Sequence, residues 1–153
     1  MVMTDLVFRD ATLADIPALE RLMEEDEIGT ARDPVRTTRE DHARALAEID
    51  ADANNRLFVA ERGGEVVGTY QLTLIPGIAR RGNWRGVAES VRVARLARGG
   101  GIGAAMMEHA IALCRVRGCH VVQLTSDLNR PDAHRFYRRL GFVATHAGFK
   151  LML

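Results

Sequence analysis

Long apolar runs, cysteine and net charge are all scarce in this sequence of 153 residues. No apolar stretch approaches the ~20 residues needed to span a bilayer, and Met1 to Asp5 do not begin a secretory signal. The 21 basic and 20 acidic side chains leave a net charge of +1, which favours neither nucleic acid nor membrane surfaces as partners. We therefore expect a cytoplasmic protein that binds neither nucleic acid nor membrane.

Cysteine occurs only at Cys114 and Cys119. Two thiols do not make a disulfide framework, and none of the five histidines stands at zinc-ligand spacing from them. His120 follows Cys119 directly, but neighbouring strand residues point to opposite faces of a sheet, which is poor geometry for chelation. We therefore expect no metal site and assign both cysteines to the core.

The chain does have an ordinary globular composition, with 47% hydrophobic and 27% charged residues. A chain of this length buries about two thirds of the surface that it exposes when unfolded. No repeat, linker or low-complexity segment interrupts it. We therefore expect one domain over residues 1–153.

Hydrophobic periodicity and turn residues predict strands and helices in a mixed order. Thr12 and Asp15 form a capping-box pattern before the first helix, and Gly63-Gly64 is typical of a hairpin turn. The order of elements predicts a mixed α/β fold of the α+β type. The predicted elements are strands at Leu6–Arg9, Arg56–Glu61, Glu65–Leu74, Val87–Val93, Val121–Thr125 (buried), Phe142–Thr145 and Phe149–Leu153, helices at Leu13–Glu25, Thr38–Ala53, Gly101–Arg117 and Pro131–Leu140, and loops at Ile28–Arg36 and around Asn83-Trp84.

The most informative segment is the glycine-rich turn Arg98-Gly99-Gly100-Gly101-Ile102-Gly103-Ala104, which lies between a predicted strand and a predicted helix. Glycines allow positive φ and a close approach of the backbone to a ligand, so that several N–H groups can converge. The first turn of the helix adds unpaired N–H donors and the positive end of its dipole. Together these features predict a diphosphate-binding turn, with Arg98 neutralising the same anion. A purely structural turn is the alternative.

Two other nucleotide-binding motifs are excluded by the residues around this turn. A mononucleotide P-loop requires Gly-Lys-Ser/Thr after the glycines, and the sequence lacks it. A dinucleotide-binding turn follows the first strand of a parallel unit and has an acidic residue ~20 positions later. Here the turn follows a predicted antiparallel hairpin, and the residues just beyond Val121 are apolar or neutral.

This turn and a second motif resemble the signatures of the GNAT family of N-acetyltransferases. The family motif Arg/Gln-x-x-Gly-x-Gly/Ala is matched by Arg98 to Gly103. Its second signature, Asn followed by Ala-x-x-Phe-Tyr-x-x-Leu-Gly-Phe, is matched by Asn129 and by Ala133-His134-Arg135-Phe136-Tyr137-Arg138-Arg139-Leu140-Gly141-Phe142. The two motifs stand in the family's order and spacing, and the resemblance covers nearly the whole chain.

The resemblance implies a mostly antiparallel central sheet of six to seven strands, flanked by about four helices and splayed between the fourth and fifth strands. It implies acetyl-CoA as co-substrate, a primary amine as acceptor, and direct transfer in a ternary complex without an acyl-enzyme. Family habit also suggests a homodimer. The most direct expectation is an acetyltransferase acting on a small metabolite.

The resemblance also assigns residues to the cofactor. The backbone of Val91, Arg92 and Val93 binds the pantetheine arm, and a main-chain N–H near Val93 polarises the thioester oxygen. The amides of Arg98 to Ala104, including those of Gly99, Gly100, Gly101, Ile102 and Gly103, bind the pyrophosphate. Asn129 binds a pantetheine amide, although an Asn before a helix is also a preferred N-cap. Tyr137 is assigned to the cofactor site as well.

Two residues are candidates for proton transfer. Tyr137 is the candidate general acid for the departing thiolate, because a phenol with a pKa near 10 stays protonated at neutral pH; the alternative places it in the apolar stripe of its helix. Glu89 is the candidate general base, and the alternative is that it balances the surrounding arginines. Some members of the family use chains of water molecules at this step instead.

The segment before the turn is rich in arginine, with Glu89 as its only acid; the arginines are Arg80, Arg81, Arg85, Arg92, Arg95 and Arg98. Trp84 and Arg85 are candidates for contact with the acceptor, although a single Trp is often a hydrophobic anchor. Arg80, Arg81 and Arg85 are suited to an acidic acceptor or to the 3′-phosphate of CoA, and the sequence does not choose between them.

Two other functions compete with a metabolite acetyltransferase. A protein lysine or N-terminal acetyltransferase needs an open groove for a peptide. A non-catalytic acyl-CoA sensor keeps the glycine-rich turn but does not need a general acid or base, so the presence of both Tyr137 and Glu89 favours an enzyme.

Overall fold

The computed structural model describes residues 5–32 and 36–153. Residues 1–4, part of the segment tested for a secretory signal, and residues 33–35, part of the predicted loop that holds Pro34, lie outside the described residues. The backbone divides into two compact units, Met1–Gln123 and Leu124–Leu153.

The first unit begins with a strand and three helices. They are β1 at Leu6–Asp10, a 3-10 turn at Leu13–Asp15, α1 at Ile16–Glu24, α2 at Glu27–Arg32 and α3 at Arg39–Ala51. The Thr12 N–H donates to Asp15 Oδ2 at 2.7 Å, so the predicted capping box before α1 is confirmed. Thr38 caps α3 in the same way, with its Oγ1 accepting the Asp41 N–H at 3.2 Å.

The position of α2 corrects the prediction of a loop from Ile28 to Arg36. Asp26 explains why a helix forms there, because its Oδ1 accepts the Gly29 N–H at 3.1 Å, the bond that a side-chain N-cap makes. A Cβ at Gly29 would lie only 2.5 Å from Asp26 Oδ2. Gly29 therefore makes room for the cap and does not mark a loop.

A five-stranded sheet and one long helix complete the first unit. Their elements are β2 at Asn55–Arg62, β3 at Glu65–Pro76, α4 at Ala79–Gly82, β4 at Trp84–Val93, a 3-10 turn at Arg95–Ala97, α5 at Ile102–Arg117 and β5 at Cys119–Gln123. The strand order is β1-β2-β3-β4-β5. The first three pairings are antiparallel and β4 pairs with β5 in parallel. The predicted mixed, mostly antiparallel sheet is confirmed.

Both faces of the sheet are covered by apolar packing. On one face, Tyr70 and Leu72 of β3 pack with Met106 and Ala110 of α5. On the other face, Val59 and Val66 pack with residues of α1 and α3, among them Leu19, Leu22 and Leu46. Burial of these side chains stabilises the sheet by about 1.5–3 kcal/mol for each large residue.

Helix α5 approaches the sheet closely, and two glycines allow it. A Cβ at Gly68 on β3 would lie 2.8 Å from Met106 Sδ, and a Cβ at Gly86 on β4 would lie 2.2 Å from Cys114 Sγ. The Met106 and Cys114 side chains occupy the space that a Cβ at these positions would need. The two glycines therefore allow these side chains of α5 to pack directly against the sheet.

Strands β4 and β5 differ from their predicted bounds. Trp84 and Arg85 begin β4 and are not part of a loop, because Trp84 pairs with Pro76 and Arg85 with Ile75. Strand β5 lies two residues earlier than predicted and is not fully buried, since Val121 is 40% exposed. Its continuous apolar character therefore does not reflect burial on both faces, and β5 is an edge strand of the sheet in this unit.

The second unit holds helix α6 at Pro131–Arg139, which confirms the helix predicted from Pro131. The predicted closing hairpin at Phe142–Thr145 and Phe149–Leu153 is wrong, because no strand forms in residues 142–153. Apolar segments form a stable strand only where a neighbouring strand supplies hydrogen bonds. Here the Phe142 N–H instead donates to the Tyr137 carbonyl at 3.1 Å.

The described residues thus contain five strands instead of six to seven. They contain six short or long helical segments instead of about four. The additional ones are the short helix α2 and the four-residue turn α4, in which Arg80 and Arg81 have left-handed φ angles of 51° and 62°. Hydrophobic periodicity over ten or more residues can reveal neither.

Candidate functional site

The glycine-rich turn lies where it was predicted, at the start of α5. Gly99 and Gly101 have φ angles of 79° and 80°, with Gly100 between them. A Cβ at Gly99 would meet no atom within 4 Å, so glycine is needed there for its backbone conformation and not for lack of space. Successive N–H groups in such a conformation form a concave, anion-binding surface.

The donors in this turn are free of the helix's own hydrogen bonds. The first bond of α5 runs from the Ala105 N–H to the Gly101 carbonyl at 3.0 Å. The N–H groups from Gly99 to Ala104 precede that bond and, within the described part of the chain, donate to no backbone carbonyl. A row of unpaired donors at a helix N-terminus, with the positive end of the dipole behind it, is suited to a diphosphate.

The Arg98 side chain does not extend into this row of donors. Its Nε donates to the Val93 carbonyl at 3.1 Å, and its Nη2 donates to the Glu25 carbonyl at 3.5 Å. The side chain therefore ties the turn to the end of β4 and to the end of α1. This contact favours a positioning role over direct neutralisation of an anion.

Strand β4 contains an irregularity beside the candidate base. Gln71 of β3 pairs with Glu89 and Thr69 pairs with Arg92, so Ser90 and Val91 together face the single residue Tyr70. This is the arrangement of a β-bulge. Ser90 has a φ of 53°, a left-handed conformation that is costly for a residue with a Cβ and is often found at functional sites.

The outer edge of β4 becomes available just before the bulge. The ladder between β4 and β5 ends with the pair Val87 and Gln123, and no other strand of the first unit pairs with the outer edge of β4 beyond it. Val91, Arg92 and Val93, the residues predicted to bind the pantetheine arm, lie in this portion. The end of the ladder agrees with the predicted divergence of the fourth and fifth strands.

Glu89 lies next to the bulge and is exposed. It faces the same side of the sheet as Gln71, its partner on β3, because directly paired residues share a face. A carboxylate at this position is accessible from solvent, and its role as general base stays a prediction.

Acidic residues of the turn after α1 and of the start of α2 bind the arginines that follow Glu89. Arg92 forms an ion pair with Asp26 at 3.3 Å, and Arg95 forms one with Glu27 at 3.2 Å. The Arg95 N–H also donates to Glu25 Oε2 at 2.6 Å. Sequence reasoning missed these pairs, although the run Glu24 to Glu27 contains four acidic residues that could have indicated them.

Trp84 and Arg85 lie on opposite faces of β4. The Arg117 guanidinium stacks over the Trp84 ring at 3.5 Å, and the Trp84 carbonyl lies 2.8 Å from His120 Nδ1. These contacts favour the hydrophobic anchor that was the alternative for Trp84. Arg85 pairs with Ile75 and shares the face of Glu89.

In the second unit, Tyr137 lies on α6 among aromatic rings. Its ring centroid is 5.0 Å from that of Phe136 and 5.9 Å from that of Phe142. Burial raises the pKa of Tyr137 above its usual value, and the Arg130 charge lowers it to a smaller extent. The phenol is therefore protonated at neutral pH, as a general acid must be.

Asn129 is exposed and does not cap α6. The N-cap of α6 is Arg130, and no side chain makes the capping bond. The alternative role of Asn129 as an N-cap is therefore wrong. Its N–H donates to Asp127 Oδ1 at 2.9 Å, so an Asx-type turn holds its backbone.

Cys114 and Cys119 are free thiols, and Cys114 is buried. Burial raises the pKa of Cys114 to about 12, which makes it an unreactive core residue. The described residues contain no group of three or more His, Cys, Asp or Glu side chains that could hold a metal ion. No helix among them is long and apolar enough to cross a membrane.

Two curated proteins with related sequences are N-acetyltransferases. An aminoalkylphosphonate N-acetyltransferase from Salmonella typhimurium is 34% identical over 98 residues, covering 64% of this chain and 63% of that protein. A glucosamine 6-phosphate N-acetyltransferase from Trypanosoma brucei brucei is 32% identical over 99 residues, covering 64% of this chain and 65% of that protein. The chain spans less than two thirds of the length of these relatives.

The likeness to a solved structure is more extensive. The crystal structure of a transcriptional regulator from Bacillus halodurans is 41% identical with a TM-score of 0.88, covering 97% of this chain and 99% of that one. The model of the acetyltransferase (GNAT) family matches residues 17–142, a range that holds both the glycine-rich turn and the Tyr137 motif. The chain therefore belongs to the acetyltransferase (GNAT) family, a family of transferases.

Proposed function

We propose that this protein transfers the acetyl group of acetyl-CoA directly to the primary amine of a small metabolite. The observation that carries the proposal is the row of unpaired N–H groups from Gly99 to Ala104 at the start of α5. Such a row suits a diphosphate, and CoA carries one. Membership in the family supports an acetyl donor of this kind.

Two segments of the first unit suit two parts of CoA, its pyrophosphate and its pantetheine arm. The turn from Gly99 to Ala104 would hold the pyrophosphate with backbone N–H groups. The edge of β4 at Val91 to Val93 would hold the pantetheine arm by the hydrogen bonds that a partner strand otherwise makes. Bound acetyl-CoA supplies a thioester whose carbonyl carbon accepts a nucleophile.

The proton transfers are assigned to Glu89 and Tyr137. An amine is nucleophilic only without its proton, and the exposed carboxylate of Glu89 is placed to accept that proton, directly or through water. The phenol of Tyr137 donates a proton to the departing sulfur, for which its raised pKa keeps it protonated. The Tyr137 assignment is supported by its place in the motif from Ala133 to Phe142. The Glu89 assignment is supported by its exposed position beside the bulge of β4.

The acceptor is proposed to be a polar primary amine. The two curated relatives are named for an aminoalkylphosphonate and for glucosamine 6-phosphate, both small amines with an anionic group. Arg85 lies on the same face as Glu89 and would attract such a group. This observation favours a small metabolite over a lysine side chain of a protein.

Released CoA thiol tests the proposed function. The protein is mixed with acetyl-CoA and each member of a panel of primary amines, and free thiol is followed with a chromogenic disulfide. We expect thiol release that depends on both the amine and the protein. Calorimetry with CoA alone separates binding from turnover.

A second candidate is a non-catalytic acyl-CoA sensor, and one comparison favours it. The similar protein from Bacillus halodurans is described as a transcriptional regulator. A sensor would bind CoA in the calorimeter but release no thiol with any amine of the panel. Thiol release above the rate without protein would exclude this candidate.

A further inference from the structure

We propose that Asn55, Gln71 and Thr73 form an acceptor subsite that binds uncharged hydroxyl or carbonyl groups of the amine substrate. These three residues are called the Asn55 cluster. The inference rests on the proposed acetyl transfer and adds the chemical class of the acceptor. No single motif indicates it, because its members come from two strands.

Strand register brings the Asn55 cluster to the same face as the candidate base. Asn55 of β2 pairs with Thr73 of β3, and Gln71 of β3 pairs with Glu89 of β4. Gln71 and Thr73 are two residues apart on one strand and therefore point to the same side. The three strands thus present the cluster and the Glu89 carboxylate on one continuous surface.

The cluster lies where this face changes from apolar to polar. Nearer β1 and the start of β3, the same face is covered by α1 and α3, whose Leu22 and Leu46 pack in one cluster with Val59 of β2. The members of the cluster are half-buried and take no part in that apolar packing. Half-buried polar side chains are suited to a small polar ligand, whereas an uncovered apolar face would suit a helix or another protein.

Internal hydrogen bonds hold the cluster in one arrangement. Asn55 Oδ1 accepts hydrogen bonds from Gln71 Nε2 at 2.9 Å and from Thr73 Oγ1 at 3.3 Å. These bonds leave the Asn55 Nδ2 group as a donor and Gln71 Oε1 as an acceptor. Within the described residues, neither atom has another side-chain partner. A donor and an acceptor fixed by their neighbours are preorganised for a hydroxyl or an amide.

Charge on the same face gives the acceptor its orientation. The ammonium group belongs beside Glu89, where β4 has lost β5 as a partner. The body of the acceptor then extends over Gln71 toward Asn55 and Thr73. An alkyl or aromatic amine would leave the cluster unpaired, at the cost of its desolvation. The site therefore selects hydroxylated or amide-bearing primary amines.

Two matched pairs of amines test this selection. Serinol and isopropylamine share one carbon skeleton with and without hydroxyl groups, and glucosamine and cyclohexylamine make a larger pair. Hydroxyl groups make an amine less basic, so kcat/KM is expressed per concentration of unprotonated amine. On that scale we expect it to favour the hydroxylated member of a pair by about tenfold or more, since each neutral hydrogen bond contributes a factor of roughly 2–10. The measurement is release of CoA thiol.

Variants of the cluster show whether it causes the preference. Thr73→Val keeps the shape and β-propensity of the side chain but removes its hydroxyl, whereas Thr73→Ser keeps the hydroxyl. We expect Thr73→Val and Gln71→Met each to reduce the preference about 3- to 10-fold, and Thr73→Ser to retain it. CoA affinity by calorimetry should stay within about twofold of the parent in all three, which also shows that they fold.

The outcomes separate the subsite from the enzyme activity. If the parent turns over amines without preferring hydroxylated ones, or if Thr73→Val and Gln71→Met keep the parent's preference, the subsite is wrong while the activity stands. If no amine releases thiol although CoA binds, the proposed transfer itself is wrong, and the subsite is rejected with it.

Discussion

Strand β4 joins the two ends of the candidate site, but one end offers backbone groups and the other offers side chains. At the start of α5, the Gly99–Ala104 turn offers backbone N–H groups and almost no side chains. Around Glu89, the sheet face offers side-chain groups held in place by strand register. A backbone site can bind one kind of group, an anion of suitable size, whatever the surrounding side chains are.

The two ends therefore differ in how selectively they must bind. The diphosphate of a common donor needs no discrimination, so N–H groups and a helix dipole suffice. An acceptor must be distinguished from other amines, and that requires side chains that hydrogen-bond the correct one and leave the wrong one unpaired. Variants at each end should therefore fail in different ways.

The largest effect is expected from Gly103→Val in the glycine-rich turn. A branched side chain in the first turn of α5 blocks the approach of the diphosphate to the N–H groups, and we expect CoA affinity to fall by more than about 100-fold, roughly 2.7 kcal/mol. Calorimetry with CoA measures the loss. Undiminished CoA affinity in a folded Gly103→Val protein would show that the diphosphate does not bind at this turn.

Gly103→Ala is the matched control for this variant. Alanine has a higher helix propensity than glycine by about 1 kcal/mol, whereas valine differs from glycine by only a few tenths. Both variants should therefore fold, with Gly103→Ala melting at or above the parent temperature. A graded loss of CoA affinity from alanine to valine would identify a steric cause.

The second effect is expected from Tyr137→Phe. Removing the phenolic hydroxyl removes the proton for the leaving thiolate but keeps the ring that packs beside Phe136 and Phe142. We expect kcat to fall about 100-fold while CoA affinity stays unchanged. Pre-steady-state thiol release measures the chemical step. A kcat equal to that of the parent would remove Tyr137 from the proton transfer.

The contrast between the two ends also explains which features could be predicted from the sequence and which could not. The glycine-rich turn, the Thr12 capping box and the Gly63-Gly64 hairpin were predicted because each is encoded by neighbouring residues. The Asn55 cluster and the bulge at Ser90 depend on which residues face each other across strands. Those pairings join positions about twenty residues apart, and no local pattern specifies them.

The errors in secondary structure have the same origin. Helix α2 was missed because Gly29 and Pro34 suggested a loop, whereas the Asp26 side chain caps a short helix across that glycine. The closing hairpin was predicted from apolar residues on either side of Gly148, without a neighbouring strand to pair with it. A local pattern is therefore a reliable predictor where neighbouring residues supply the backbone hydrogen bonds. It is unreliable where a distant segment must supply them.

The third effect is expected from Glu89→Gln on the sheet face. The amide keeps the size of the side chain but cannot accept a proton, so we expect kcat/KM to fall about 10- to 100-fold. We also expect the limb of the pH–rate profile that rises with pH to change its shape. The CoA dissociation constant should not change. A profile that overlays that of the parent would assign the deprotonation to water.

The smallest effect on catalysis is expected from Asp15→Asn, because Asp15 lies outside both ends of the candidate site. Its contribution to stability limits the pH range in which variants at the two ends can be compared. Arg9 binds the Asp15 carboxylate through both oxygens, at 2.7 and 2.8 Å. This hydrogen-bonded pair, together with the Thr12 N–H, lowers the pKa of Asp15 from 3.8 to about 2.

Because the pKa of Asp15 is lower in the folded state than in the unfolded one, the pair stabilises the fold above pH 4, and this contribution is lost as the pH falls from 4 toward 2. Asp15→Asn should therefore reduce the free energy of unfolding by about 2 kcal/mol at pH 7, with a much smaller difference near pH 2. Urea denaturation at the two pH values measures it, and kcat/KM at pH 7 should match the parent. An equal loss of stability at both pH values would mean that the charge of the Asp15 carboxylate does not stabilise the start of α1. The pH–rate profiles of the parent and of Glu89→Gln could then be compared at lower pH without interference from unfolding at this pair.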